Sequence, residues 1–369
     1  MISVGFLEHF QALEDPRQLR KVLYPLNEIL LLVLCGVICG SETWIDIAEY
    51  GEEKLDFLRN FAPFEKGTPS HDTLGEVFSN LDPKSFQTCF IAWADSFQRA
   101  CREIVAIDGK TLRHSFDQEH KAIHMVSAWA CQQRMVLGQE KVDEKSNEIT
   151  AIPKLLELLV LKGAIVTIDA LGCQREIAQK ILERNADYIL ALKGNQGELH
   201  QDVAEFLEHQ RSENFVRSRC DYYESVEKGH GRIESRRCWA TDDVLWLKER
   251  HDWPGLQSIV LVESSRTRNG NTETERRYYL CSLPMDATEA ARAIRSHWQV
   301  DNSLHWVLDV VFRDDDCRVR KDYSPQNFHM VKQLALNILR RSPEKKSLRL
   351  RRKSAGWNNQ NLLKILQAS

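Results

Sequence analysis

Residues 104–111 read IVAIDGKT. Four apolar residues, Ile104 to Ile107, stop at Asp108, and Gly109 and Lys110 follow. A strand of this kind ends on a carboxylate for one of two reasons. Either Asp-Gly is turn chemistry at a solvent-facing end, or the acid has a chemical task. The second reading needs another carboxylate in a matching place. Residues 164–169, AIVTID, supply it, because this apolar run ends in Asp169.

The segments around the two runs fix their order. EIVAI (103–107) is followed by AIHMVSAWA (122–130) and RMVLGQEKV (134–142), strand-like runs that meet in a short antiparallel hairpin at QQR. Ile152, Leu155, Leu156 and Leu159 then recur at helical spacing. AIVTI (164–168) is a strand and residues 174–184 are a helix with Ala178, Ile181 and Leu182 inward. DYILAL (187–192) is a further strand, closed by Lys193-Gly194-Asn195. Three antiparallel strands, helix, strand, helix, strand is the ribonuclease-H-like order. In it the first strand is central and the fourth lies parallel beside it after a right-handed crossover. That order predicts Asp108 and Asp169 side by side. Adjacent carboxylates repel unless a cation lies between them, and hard divalent ions take such oxygens. A metal site is therefore expected.

The flanks extend this core. Residues 1–100 read as short helices, with Ser70 capping HDTLGEVFSNL and Leu74, Val77, Phe78 and Leu81 on one face; a helical DNA-binding domain is expected there. ILLLVLCGVICG (29–40) is too short to span a bilayer, which needs about 20 apolar residues, and it lacks the features of a signal peptide. It reads as a core helix, with no membrane partner. The core's first part runs over 101–196, and 197–280 reads as a β-rich insertion. There Asn269-Gly270 signals a type I′ hairpin between SIVLVE and RRYYLCSL, and KGHGRIESRR (228–237) is a second Gly-rich turn. Residues 281–340 return to the core. Here His297, Asp301, His305 and Asp309 follow one another at i+4 along a helical stripe, from which a late helix supplies a third acid. Asp314 to Asp316 read as a solvated loop. Residues 341–369 read as a basic tail: RRSPEKKSLRLRRK (340–353) holds eight lysines and arginines against one glutamate.

Net charge is −3, from 50 basic and 53 acidic residues, so any surface for a polyanion is local. Ten cysteines without a C-x-x-C fit reduced thiols of a cytoplasmic protein.

The motifs PSHDTLGEVFSNLDP (69–83), AIDGKTLR (106–113), DEKSNEITAIPKLL (143–156) and TIDALGCQREIA (167–178) now combine. LALKGNQ (190–196), KGHGRIESR (228–236) and RSHWQVDNSLHWVLDVVF (295–312) complete the set. Together they resemble the DDE transposases of bacterial insertion sequences, within them the H-repeat-associated family found beside Rhs elements. The resemblance covers nearly the whole chain. It implies DNA transposition and recombination on a ribonuclease-H-like core, with two Mg²⁺ ions, or Mn²⁺ as substitute, held by Asp108, Asp169 and Asp301. It also implies double-stranded DNA as partner, a homodimer on paired element ends, and a place in the bacterial cytoplasm at the nucleoid. The family carries glutamate where this chain has Asp301, in a segment like H-W-x-I-E-N-S-L-H-W. The wider pattern Y-x2-R-x3-E-x6-K falls here on Ile294, His297, Asp301 and Leu308, with Arg295 as the substitute cation. Contacts to DNA are expected from Lys193, Arg232, Arg236, Arg237 and Arg295, and from Arg349, Arg351, Arg352 and Lys353 in the tail; His230 and Glu234 are expected to be structural. Two alternatives stay open: a recombination nuclease on the same core that cuts without joining, and a DNA-binding relic impaired by the change at Asp301.

Overall fold

The computed structural model describes the whole chain except residues 1, 3, 98–101, 117–120, 144, 230, 231, 270 and 369. The opening run forms β1 (Ile104–Thr111). It runs on past Asp108 because β2 (His124–Ala130) keeps pairing with it, Asp108 opposite Ser127 and Lys110 opposite Met125. β3 (Met135–Lys141) follows as a hairpin partner of β2. β4 (Ile165–Ile168) lies parallel to β1, with Ile107 level with Ile168, and β5 (Asp187–Leu192) lies parallel to β4. β4 is buried along its whole length, which is why its sequence is continuously apolar rather than alternating.

β6 (Asp221–Gly229), β7 (Arg232–Thr241), β8 (Ser258–Arg268) and β9 (Asn271–Cys281) form an antiparallel meander. β9 pairs antiparallel with β5, so the order across one nine-stranded sheet is β3-β2-β1-β4-β5-β9-β8-β7-β6. The first five strands have the ribonuclease-H-like order. The segment 197–280 extends that sheet from its β5 edge, where unpaired backbone groups invite another strand. Asn269 takes a left-handed φ of 51° between β8 and β9, as a type I′ turn requires. His230 lies outside the described residues.

The N-terminal helices are α1 (Gly5–His9), α2 (Leu26–Cys39), α3 (Trp44–Glu53), α4 (Leu55–Leu58), α5 (His71–Asn80) and α6 (Pro83–Asp95). The long apolar run forms α2, buried from Glu28 to Ile38 against α3 and two C-terminal helices. Among the described residues no single helix is long and apolar enough to cross a membrane. Ser70 caps α5 through Thr73 N, and Leu74, Val77 and Phe78 face the core as spaced. Between the strands come α7 (Glu148–Leu158), α8 (Arg175–Glu183), α9 (Gly197–Ser212) and α10 (Leu245–His251).

The C-terminal third holds α11 (Ala287–His297), a π-helical segment (Asp301–His305) and α12 (Trp306–Val311), then α13 (Ser324–Arg341), α14 (Leu348–Trp357) and α15 (Asn359–Leu366). α13 is buried over most of its length. Its Asn337 side chain accepts from Val136 N and donates to Val136 O, both at 2.9 Å, tying the helix to β3.

One expectation is corrected here. Asp314 is not in a solvated loop: it is buried, with oxygens 2.9 Å from His329 Nδ1 and Lys332 Nζ. Its neighbour Asp315 meets Lys110 Nζ at 3.1 Å. The stretch expected as a basic tail holds two packed helices, Leu348–Trp357 and Asn359–Leu366. Leu348 packs on the core while Leu350 stays exposed.

Candidate active site

Sheet register builds the site. Since Ile107 and Ile168 are level on parallel strands, the next residues, Asp108 and Asp169, stand beside each other. Asp169 leaves β4 into a tight turn and accepts from Leu171 N at 3.0 Å and Gly172 N at 3.3 Å. That turn is held from outside: Asn195 donates to Ala170 O at 2.8 Å and Gln196 to Cys173 O at 2.6 Å. The KGNQ sequence after β5 is thus the strut of the Asp169 turn. Burial pushes the Asp169 carboxyl up, the two backbone donors oppose that, and the charges of Glu148 and Asp108 add to it.

The helical run from α11 to α12 crosses the same face. His297 Nδ1 is 3.1 Å from Thr167 Oγ1. Burial pushes the His297 imidazole down, against the pull of Asp108, Asp169 and Asp301. Further along, His305 Nε2 lies 3.0 Å from Asp108 Oδ2, and Lys110 Nζ donates to Asp309 Oδ1 at 2.5 Å. Two strand residues advance about 6.6 Å and four helical residues about 6 Å, so Asp108 and Lys110 meet His305 and Asp309 in step. In a continuous α-helix an i+4 stripe drifts steadily around the axis. The wider π turn from Asp301 to His305 counters that drift and keeps both residues at the strand end. One donor atom each from Asp108, Asp301 and His305 lies within 4.8 Å of the other two. Asp309, the last of the stripe, is instead committed to Lys110, whose side chain is 8% exposed. Burial pushes the Asp309 carboxyl up, with Lys110 opposing.

The opposite face of β1 carries a contact that the sequence reading missed. Glu148 Oε1 is 2.6 Å from His124 Nε2, and His124 Nδ1 is 2.9 Å from Thr111 Oγ1. The signal for it was Gly109, which was read only as turn chemistry.

The expected DNA contacts divide. Arg232, Arg236 and Arg295 line a groove of about 950 Å³ between the outer strands and α11, with Asp301 and Asn302 also in its wall. Each has an acidic partner: Arg232 and Arg236 meet Glu234 at 2.7 and 2.6 Å, and Arg295 meets Glu227 at 2.6 Å. Glu234 thus pairs with Arg232, Arg236 and Arg266. Arg237 points to the other face of the sheet, 3.0 Å from Glu224, and is not in the groove wall. Lys193 is exposed, beside a small cavity lined also by Asp169, His297 and Trp298. On α14, Arg349 and Lys353 are exposed. Arg351 and Arg352 are not free for phosphate. Arg351 donates to the carbonyls of Leu339, Ser342, Glu344 and Lys346. Arg352 is buried over the Phe312 ring and donates to Val37 and Val311 carbonyls.

Two family models match this chain. One, described as DDE_Tnp_1-associated, covers residues 7–94, and the other, Transposase DDE domain, covers residues 99–338. The chain is 41% identical over 374 residues to the H repeat-associated putative transposase YhhI of Escherichia coli (strain K12), covering 98% of each. It is 40% identical over 370 residues to the putative transposase YncI of Escherichia coli O157:H7, covering 98% of this chain and 94% of the relative. The solved structure of a piggyBac transposase synaptic complex with hairpin DNA overlaps 95% of this chain and 75% of its own, with a TM-score of 0.44 at 11% identity.

Proposed function

The chain belongs to the DDE transposases, and on that premise we propose that Asp108, Asp169 and Asp301 are the acids with which it cuts element ends and transfers the strand to target DNA. The observation that carries this is the meeting of three chain segments at one strand end: β1, the turn after β4, and the π segment between α11 and α12. The donor set fits a hard divalent cation. One ligand atom each from Asp108, Asp301 and His305 lies within 4.8 Å of the other two, Asp169 joins them by its register beside Asp108, and such carboxylate oxygens suit Mg²⁺ or Mn²⁺. Two such ions would activate water or a DNA 3′-hydroxyl and stabilise the leaving oxygen.

The chain's own residues do the rest. The Asp169 turn, braced by Asn195 and Gln196, keeps that carboxylate from swinging away. Lys110, clamped between Asp309 and Asp315, fixes α12 on β1 and so fixes His305 against Asp108. The groove arginines offer phosphate contacts leading to Asp301, exchanging Glu234 and Glu227 for the DNA backbone. Two copies acting on paired ends complete the reading.

Purified protein with DNA carrying the element's inverted repeats tests it. Asp108→Ala and Asp169→Ala should each reduce metal-dependent cleavage at least about 100-fold while DNA binding persists. Cleavage by either variant at the wild-type rate would remove that residue from the site. Cutting without joining in the wild type would select the nuclease alternative.

A further inference from the structure

The three acids just assigned leave a fourth carboxylate at the same strand end without a task. Glu148 opens α7, but the helix does not need it as a cap, since Asn147 already accepts from Ile149 N at 3.0 Å. Its side chain instead turns toward β1 and is 16% exposed. Gly109, directly after Asp108, is what admits it: a Cβ there would fall 2.1 Å from Glu148 Oε1, 2.6 Å from Glu148 Cδ and 2.7 Å from His124 Nε2. Successive strand residues point to opposite faces. Asp108 therefore turns to His305 and Asp301, and the bare face at Gly109 turns to Glu148.

We propose that Glu148 is a fourth acidic ligand of the divalent-cation site, held by His124 and admitted by Gly109, so that the end of β1 is served by carboxylates from both faces. This rests on the cation site proposed above. Two considerations favour a ligand over a clamp between α7 and the sheet. A glycine inside a strand weakens it, and a clamp could be built without one. Mg²⁺ also takes near-octahedral oxygen coordination and completes it with waters and phosphate oxygens, so a two-ion site has room for a further carboxylate beside the three. The arrangement has the form of an outer histidine orienting a carboxylate ligand.

Direct Mn²⁺ titration of the full chain, by calorimetry or by the paramagnetic signal of the free ion, tests this without any turnover. Four proteins are compared: wild type, Glu148→Gln, His124→Gln and Asp108→Asn. Glu148→Gln keeps the shape and a hydrogen-bond acceptor for His124, so its unfolding midpoint without metal should match wild type. Its Mn²⁺ affinity should fall about tenfold or more, and His124→Gln should lose less. Wild-type Mn²⁺ binding by Glu148→Gln, with Asp108→Asn defective, would overturn the role of Glu148 and leave the three-acid site standing. Wild-type binding by Asp108→Asn as well would overturn the cation site itself. Should Glu148→Gln lose folding, Glu148→Asp decides: weakened Mn²⁺ binding at an intact fold supports the role, and unchanged binding removes it.

Discussion

Asp314 shows what a single buried charge does in this protein. Its carboxylate has lost nearly all water and recovered it as two contacts of 2.9 Å, to His329 and Lys332, themselves 2% and 3% exposed. Desolvation alone would raise its pKa, but the neighbouring Lys332 and His329 win and hold it far below the ordinary carboxylate range. A carboxylate depressed in the folded state adds stability that is complete above its unfolded pKa, 3.8 here, and that drains as pH falls below it. Asp314→Asn should therefore cost about 3–5 kcal/mol at neutral pH, since it strands a buried lysine. The cost should shrink as pH falls below about 4. Denaturant unfolding at a series of pH values measures both; a loss that persists undiminished in acid would contradict the assignment. The sequence hid this residue inside an acidic triplet, because nothing in DDD distinguishes the member that folds inward. Asp108 and Asp169 were legible for the opposite reason: each ends an apolar run, and the order of runs predicts which two strands are neighbours.

At the scale of elements, the helix from Ala287 to Val311 and the helix α14 taught different lessons. The i+4 spacing of His297, Asp301, His305 and Asp309 found the stripe. It did not reveal the π turn, which leaves no mark in composition and decides that Asp301 and His305 stay at the site while Asp309 moves on to Lys110. In α14 the reading was half corrected. A run of arginines looks alike whether its partners are phosphates or carbonyls, and backbone carbonyls carry no sequence signal. Arg351 closes the C-terminus of α13 and Arg352 bridges α2 and α12. Of the four α14 residues expected to bind DNA, only Arg349 and Lys353 are exposed. Changing Arg349 and Lys353 to Ala should weaken binding to all duplexes alike and flatten the log–log salt dependence by at most about 2. Arg352→Ala should instead destabilise the fold by about 2–3 kcal/mol, from the lost hydrogen bonds of a buried cation. Affinity across a salt series, read beside thermal unfolding, separates the two. A salt slope unchanged in the Arg349, Lys353 pair would take α14 out of the DNA interface.

At the scale of the whole molecule, one nine-stranded sheet organises everything else. Its first five strands set the acids, and its outer four carry the arginine-lined groove up to Asp301. The sequence showed the two halves but not their union. Hairpin signals report local pairing, while the β5–β9 junction joins residues far apart in the chain. The central claim is that this sheet delivers Asp108, Asp169 and Asp301 to one cation-binding point. A crystal grown with Mn²⁺ and measured at the manganese absorption edge tests that most directly. The account predicts anomalous density at bonding distance, about 2 Å as for Mg²⁺, from a carboxylate oxygen of Asp108, shared with Asp301 or Asp169. Manganese bound elsewhere with none at Asp108 would contradict it.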